Sequence, residues 1–275
     1  MAQGTGLTAF MAVTHHPHHK SAETILGPAD PPPFTVSNAH GSGRTFFVCD
    51  HASNRIPQAL ENLGLTPKQL QEHIAWDIGA APMADILSRR FDAPLIKASY
   101  SRLVIDCNRQ LSDPTSILEV SDGVMIPGNQ NLDRDHAAAR AREILAPYHA
   151  EIEWQLSRNR SPAFHALISV HSFTPVFQGH VRPWHIGVLW NEDGRLALPF
   201  MDALSMRGDV VVGDNEPYSA RNNFGYTIDI HGQGRSLPHL LVEVRQDLVA
   251  DPQGVAHWAS IVSDALRKTL DSFSP

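Results

Sequence analysis

Cysteine is scarce. The 275 residues include two, Cys49 and Cys107, and neither belongs to a CxxC pair. A disulfide framework and a thiolate zinc knuckle are both disfavoured, and the expected setting is reducing and cytoplasmic. Positive charge is also thin. Lys and Arg number 22 against 29 Asp and Glu, a formal charge of -7 with no basic run. That balance argues against nucleic acid or an anionic membrane surface as a partner. No apolar stretch approaches the roughly 20 residues a membrane helix needs. The first residues lack the charged-then-apolar order of a secretory signal. Several catalytic signatures are missing as well: there is no HExxH, no GxSxG and no GxxxxGK[ST]. The stretch from His231 to Ser236 has two of the three dinucleotide glycines and reads as a turn. Cys107 follows Asp106, whose charge would raise its pKa, so it is a weak nucleophile.

What remains is a globular composition, 42% hydrophobic and 19% charged. The length suits one large α/β domain. Residues 1 to 43 are rich in Pro, Gly, Ala, Thr and His and read as a flexible N-terminal arm, with the domain over 44–275. Histidine, at 16, is abundant, and four lie in the tract from His15 to His19. From Arg44 onward, short apolar runs alternate with helical patterns. Strands are predicted at Thr45–Cys49, Pro94–Ala98, Leu103–Cys107, Ala166–Val170, Ile186–Trp190, Val210–Val212, Tyr226–Ile230 and Leu240–Val244. Helices are predicted at Pro67–Trp76, Ala80–Phe91, Arg134–Leu156 with a bend at Pro147, and Val255–Leu270. The expected fold is therefore α/β: a single domain with a mostly parallel mixed sheet and helices on both faces.

Ligands of such sheets bind outside the carboxyl ends of the strands. The runs end in Asp50-His51, in Asp106-Cys107-Asn108-Arg109, in His171-Ser172 and in Glu243. Two histidines, an Asn-Arg pair and a glutamate are thus expected on one rim. Metal-assisted hydrolysis needs such a set. Catalytic zinc takes three His or carboxylate ligands and keeps one position open. A nearby carboxylate moves the water proton to the leaving amine, and an Arg fork beside an Asn amide grips a substrate carboxylate at two points. Singly, each residue has a structural reading, such as Arg109 pairing with Asp106, or Asp77 with His73 across one helical turn.

Seven stretches, in order, resemble the N-formylglutamate amidohydrolase family. They are Val48 to Pro57 (VCDHASNRIP), His73 to Ala80 (HIAWDIGA), Tyr100 to Arg109 (YSRLVIDCNR), Ser121 to Asn129 (SDGVMIPGN), Leu167 to Pro175 (LISVHSFTP), Val212 to Ser219 (VGDNEPYS) and Leu237 to Leu248 (LPHLLVEVRQDL). The family is similar in turn to the zinc carboxypeptidase and aspartoacylase group. The resemblance implies a zinc carboxypeptidase-like (phosphorylase/hydrolase-like) fold, one Zn2+ per chain, and hydrolysis of N-formyl-L-glutamate to formate and glutamate, a step of histidine degradation. His51 and His171 fall where that group has zinc histidines, Asn108 and Arg109 where it grips the substrate carboxylate, and Glu243 where it has its base. Arg102 resembles the arginine that polarises the scissile carbonyl. The carboxypeptidase pattern has a glutamate ligand three residues after its first histidine. Here that position is Asn54, so the third ligand is Asn54 or, preferably, the carboxylate of Asp77. Asp50 reads as a residue that orients an imidazole. The competing readings are a carboxypeptidase-like or cell-wall peptide hydrolase and a non-catalytic binding protein. A histidine-rich metal store would rest on the arm alone.

Overall fold

The computed structural model describes residues 24–158, 163–222 and 225–272. The histidine tract at 15–19 lies outside them. Seven strands form the main sheet: β1 (Phe34–Ser37), β2 (Thr45–Cys49), β3 (Leu95–Ala98), β4 (Ala166–Phe173), β5 (Ile186–Leu189), β6 (Val212–Asp214) and β7 (His239–Arg245). Their spatial order is β1-β3-β2-β4-β7-β5-β6. β3, β2, β4 and β7 run parallel to one another; β1 pairs antiparallel with β3, and β5 antiparallel with β7. The helices are α1 (Ala80–Arg90), α2 (Arg134–Arg140), α3 (Ala146–Ser157), α4 (Ala197–Ser205), α5 (Tyr226–His231) and α6 (Pro252–Asp271). None is long and apolar enough to cross a membrane.

Alternation along each strand divides the core in two. Phe47, Cys49, Ile168, Val170 and Val242 face a core shared with α1, α4 and α6. Phe46, Val48, Ile96 and Leu167 face the other, with Tyr148 and Ile152 of α3. Central strands buried on both sides lose the polar half of the pattern, which is why they read as unbroken apolar runs.

Four expectations need correction. Phe34–Ser37, expected in the arm, is the edge strand β1, paired with Leu95–Ala98, and Ile25 is buried. An edge strand tolerates the preceding Pro31-Pro32-Pro33 because half its backbone groups need no partner. The expected helix at Pro67–Trp76 is a single 3-10 turn at Gln69–Gln71, after which Glu72 is extended. The expected strand Leu103–Cys107 is a buried turn, its carbonyl groups bonded by Asn129 and Arg140. The expected strand Tyr226–Ile230 is helix α5. A short run with both sides covered has no period that separates the two conformations. The expected long helix runs from Arg134 to Ser157 with helical backbone throughout its junctions, and a π-helical turn at Ala141–Leu145 precedes Pro147, where the proline supplies no N–H.

Arg140 is buried without a carboxylate partner among the described residues. It donates from Nη1 to the carbonyl of Val104 (2.9 Å) and to Asn129 Oδ1 (2.7 Å), and from Nη2 to the carbonyl of Gly128 (3.1 Å). Burial lowers its pKa to about 10. It ties the turn 103–109 to α2. Arg140→Met should strand these acceptors and destabilise the fold by about 2–4 kcal/mol. Urea unfolding reads this as a lower midpoint at unchanged slope; an unmoved midpoint would refute the role.

Candidate active site

The site grows from strand ends. β2 delivers Asp50 and His51, and His171 lies on β4. On β7, Leu240, Val242 and Val244 face the α1/α4/α6 core, so Glu243 faces the other side, in register with His171. Asp77 comes from the turn before α1. Its N–H donates to the His51 carbonyl (3.0 Å), and the Ser172 hydroxyl donates to the carbonyl of Ile78 (2.7 Å). Gly79 closes this turn at φ +80, and a Cβ there would meet the Val249 carbonyl at 2.3 Å. Only glycine fits that approach.

His51 Nδ1 and His171 Nδ1 converge on Asp77 Oδ2, at 3.3 and 2.7 Å. One ligand atom from each of the three residues lies within 4.8 Å of the others, and all three side chains are buried. The far nitrogen of each ring meets a second carboxylate: His51 Nε2 lies 2.7 Å from Asp106 Oδ1, and His171 Nε2 lies 2.9 Å from Asp50 Oδ2. A carboxylate behind an imidazole keeps the proton on its own side and turns the opposite lone pair toward a metal. Asp50 is itself fixed by the hydroxyls of Tyr148, Thr227 and Ser169, each at 2.7–2.9 Å.

Charge shows what the cluster can hold. Asp50, Asp77, Asp106 and Glu243 are buried, against the guanidinium groups of Arg102 and Arg109. Two negative charges are left over. They call for imidazole protons or for a divalent cation, since buried charge must be balanced. Without a cation the protons serve. Burial opposes charge on His171, and its bonds to Asp50 and Asp77 outweigh burial and hold its pKa well above the usual value. Two nitrogen donors and one carboxylate oxygen are also the donor set of a catalytic zinc site, so the residues fit that ion.

A cleft of about 370 Å³ opens on this cluster, and Arg102, Asn108, Arg109 and Glu243 line it together with the two histidines and Asp77. Seven of the residues singled out in the sequence therefore meet in one place. Arg102 donates to Asp106 Oδ2 (2.8 Å) and lies 3.7 Å from Asp77 Oδ1. Asn108 accepts the Thr227 N–H on its side-chain oxygen (3.0 Å). Glu243 Oε2 is buried with no hydrogen-bond partner among the described residues. Burial first, then the charge of Asp77, pushes Glu243 up to about 7. Asn54 is elsewhere, donating to the Leu70 carbonyl (2.7 Å). Asp77 does not pair with His73, which faces Asp122 at 3.2 Å. Burial pushes the Cys107 thiol up, as do Asp50 and Asp106, so it is no nucleophile.

Sequence reasoning missed Asp106 as a partner of His51, and Tyr148, Ser169 and Thr227 as the partners of Asp50. The Asp106-Cys107-Asn108-Arg109 run was a signal for the first. Contacts spanning up to 177 residues left none for the others. It also missed Tyr218, which lines the cleft.

A family model described as N-formylglutamate amidohydrolase matches residues 44–250. The gene product Atu2144 from Agrobacterium tumefaciens has a similar structure, with a TM-score of 0.87 and 32% identity over 90% of this chain and 99% of that one. An N-formylglutamate amidohydrolase from Ralstonia eutropha JMP134 shares the fold, with a TM-score of 0.65 and 18% identity over 88% of this chain and 98% of that one. No curated protein sequence matches. With three quarters of its length matched by the family model, the chain belongs to the N-formylglutamate amidohydrolase family.

Proposed function

We propose that this amidohydrolase is metal-dependent, with zinc held by His51, Asp77 and His171, and that its substrate is a small N-acyl amino acid, N-formyl-L-glutamate first. One observation carries the reading: two imidazole nitrogens and a carboxylate oxygen meet beside a buried glutamate whose Oε2 has no partner among the described residues. When bound, the cation supplies Lewis acidity and makes water more acidic.

The chain's own residues do the rest. Glu243 Oε2 takes a proton from the attacking water and returns it to the leaving nitrogen. Water's oxygen bonds to the acyl carbon as the C–N bond breaks, so N-formylglutamate and water become formate and glutamate. A buried carboxylate facing the cleft suits both halves of this transfer. Arg102, clamped by Asp106 and near Asp77, holds positive charge where the carbonyl oxygen becomes negative. Arg109 and the Asn108 amide bind a substrate carboxylate. Asp106 and Asp50 are positioning residues for the two imidazoles. The cysteines, buried and unpaired, agree with a cytoplasmic setting.

The direct test is formate release from N-formyl-L-glutamate by native, chelator-stripped and zinc-reloaded protein. Activity should vanish on stripping and return on reloading; full activity without metal would discard the mechanism. Glu243→Gln should lower kcat by about 10²–10⁴-fold while the protein retains its metal by elemental analysis. A variant that keeps near-native turnover would remove Glu243 as the base. Asp106→Asn should weaken metal affinity by roughly 10–100-fold, and excess zinc should restore much of the activity. Unchanged affinity would show that Asp106 does not position His51.

A further inference from the structure

Two further imidazoles have no part in the scheme above. His149 of α3 and His231 at the end of α5 meet edge to edge: His149 Nδ1 lies 3.0 Å from His231 Nε2, and the rings are inclined by 21°. The other ring nitrogen of His149, Nε2, lies 2.8 Å from the carbonyl oxygen of Cys107. His231 is buried, and its Nδ1 has no hydrogen-bond partner among the described residues. These contacts fix where the protons sit. A carbonyl oxygen only accepts, so His149 Nε2 carries hydrogen. Nδ1 of the neutral ring is then a lone pair, and His231 Nε2 donates to it. His231 Nδ1 is left as an acceptor, 3.8 Å from Glu153 Oε2.

The carbonyl at the end of this chain of bonds belongs to the peptide unit that leads into Asn108. The N–H of the same unit donates to Asp106 Oδ1 (2.8 Å), the atom that also meets His51 Nε2. The Thr227 hydroxyl lies 3.5 Å from the Cys107 carbonyl, but its one proton goes to Asp50 at 2.7 Å. His149 is therefore the donor that holds this carbonyl. Helix α5 reaches the turn twice: near its start the Thr227 N–H bonds the Asn108 side chain, and at its end His231 backs His149. Asn108 and Arg109 both line the cleft.

We infer that His149, backed by His231, is a positioning residue for the substrate grip of Asn108 and Arg109, fixing the rotation of the Cys107–Asn108 peptide and so the direction of both side chains. The inference rests on the amidohydrolase reading and deepens it. The pair works in one protonation state. A proton on His149 Nδ1 would set two N–H groups head to head at 3.0 Å. The groups around the pair are Asp50, Glu153 and Arg235, with the Tyr148 and Tyr226 rings beside His149. Burial outweighs Asp50 and the Cys107 bond and holds His149 below the usual histidine value; burial, with His149 beside it, brings His231 down to about 4. The pair is thus neutral and connected at neutral pH, and the connection is lost as pH falls through the lowered pKa of His149.

Two substitutions at one position separate positioning from packing. Glutamine offers a donor for the Cys107 carbonyl and an acceptor for His231, and it does not titrate; leucine offers neither. On the zinc-loaded full chain, His149→Leu should raise KM for N-formyl-L-glutamate about tenfold with kcat within about threefold, and His149→Gln should restore KM to within about threefold of wild type. From about pH 7 to 5 the wild-type KM should rise more steeply than that of His149→Gln. Amide exchange followed by NMR needs no turnover: the Asn108 N–H should exchange about tenfold faster in His149→Leu than in wild type or His149→Gln, while the amides of β4 keep their rates. His231→Leu, which removes only the donor to His149, should show the same pattern at smaller size if His149→Leu does not fold. Unchanged exchange at Asn108, exchange equally faster across β4, a fall in kcat matching the rise in KM, or parallel pH profiles for wild type and His149→Gln would overturn the positioning role. Selectively faster exchange at Asn108 without formate release from any of the proteins would instead keep the support of the turn and reject the proposed substrate.

Discussion

Three electron-rich atoms share a space that none can occupy alone at low energy. His51 Nδ1, His171 Nδ1 and Asp77 Oδ2 face one another inside the protein. Behind the rings stand two further carboxylates, Asp106 and Asp50. Bringing so many acceptors together in a region of low dielectric is unfavourable unless positive charge sits among them. Much of the surrounding architecture serves to hold that arrangement. β2 and β4 run side by side, so the residues at their ends are neighbours. The turn closed by Gly79 brings Asp77 against both strand ends, and β7 adds Glu243 in register with His171.

Asp50 joins the cluster of His51, Asp77 and His171 to the Asn108 side of the cleft. It bonds His171, and through the Thr227 hydroxyl it reaches the residue whose N–H holds the Asn108 side chain. One helix start, that of α5, therefore aligns an imidazole and a carboxamide at once. Such a network is unforgiving, since a missing partner leaves a buried polar group unsatisfied.

The parts of this architecture that the sequence disclosed are those with a local physical cause. β2, β4 and β7 are legible because their apolar runs lead into polar residues, and the rule that ligands bind at strand ends puts His51, His171 and Glu243 on one rim. Asp77 came from its carboxylate chemistry once the family pattern offered only Asn54. What failed had no local signature. Leu103–Cys107 and Tyr226–Ile230 are apolar because tertiary packing covers them, and burial alone does not specify strand, turn or helix. The bonds of Asp50 to Thr227, Tyr148 and Ser169 join segments far apart in the chain. Strand order, on which they depend, leaves no mark on any one segment.

An anomalous-scattering map recorded across the zinc edge on crystals grown with zinc looks directly at the centre of the account. It should show one strong peak bonded to both Nδ1 atoms, with Zn–N near 2.0–2.1 Å, and to an Asp77 oxygen. A zinc-saturated protein with no peak between His51 and His171, or with its zinc bound by other residues, would contradict it.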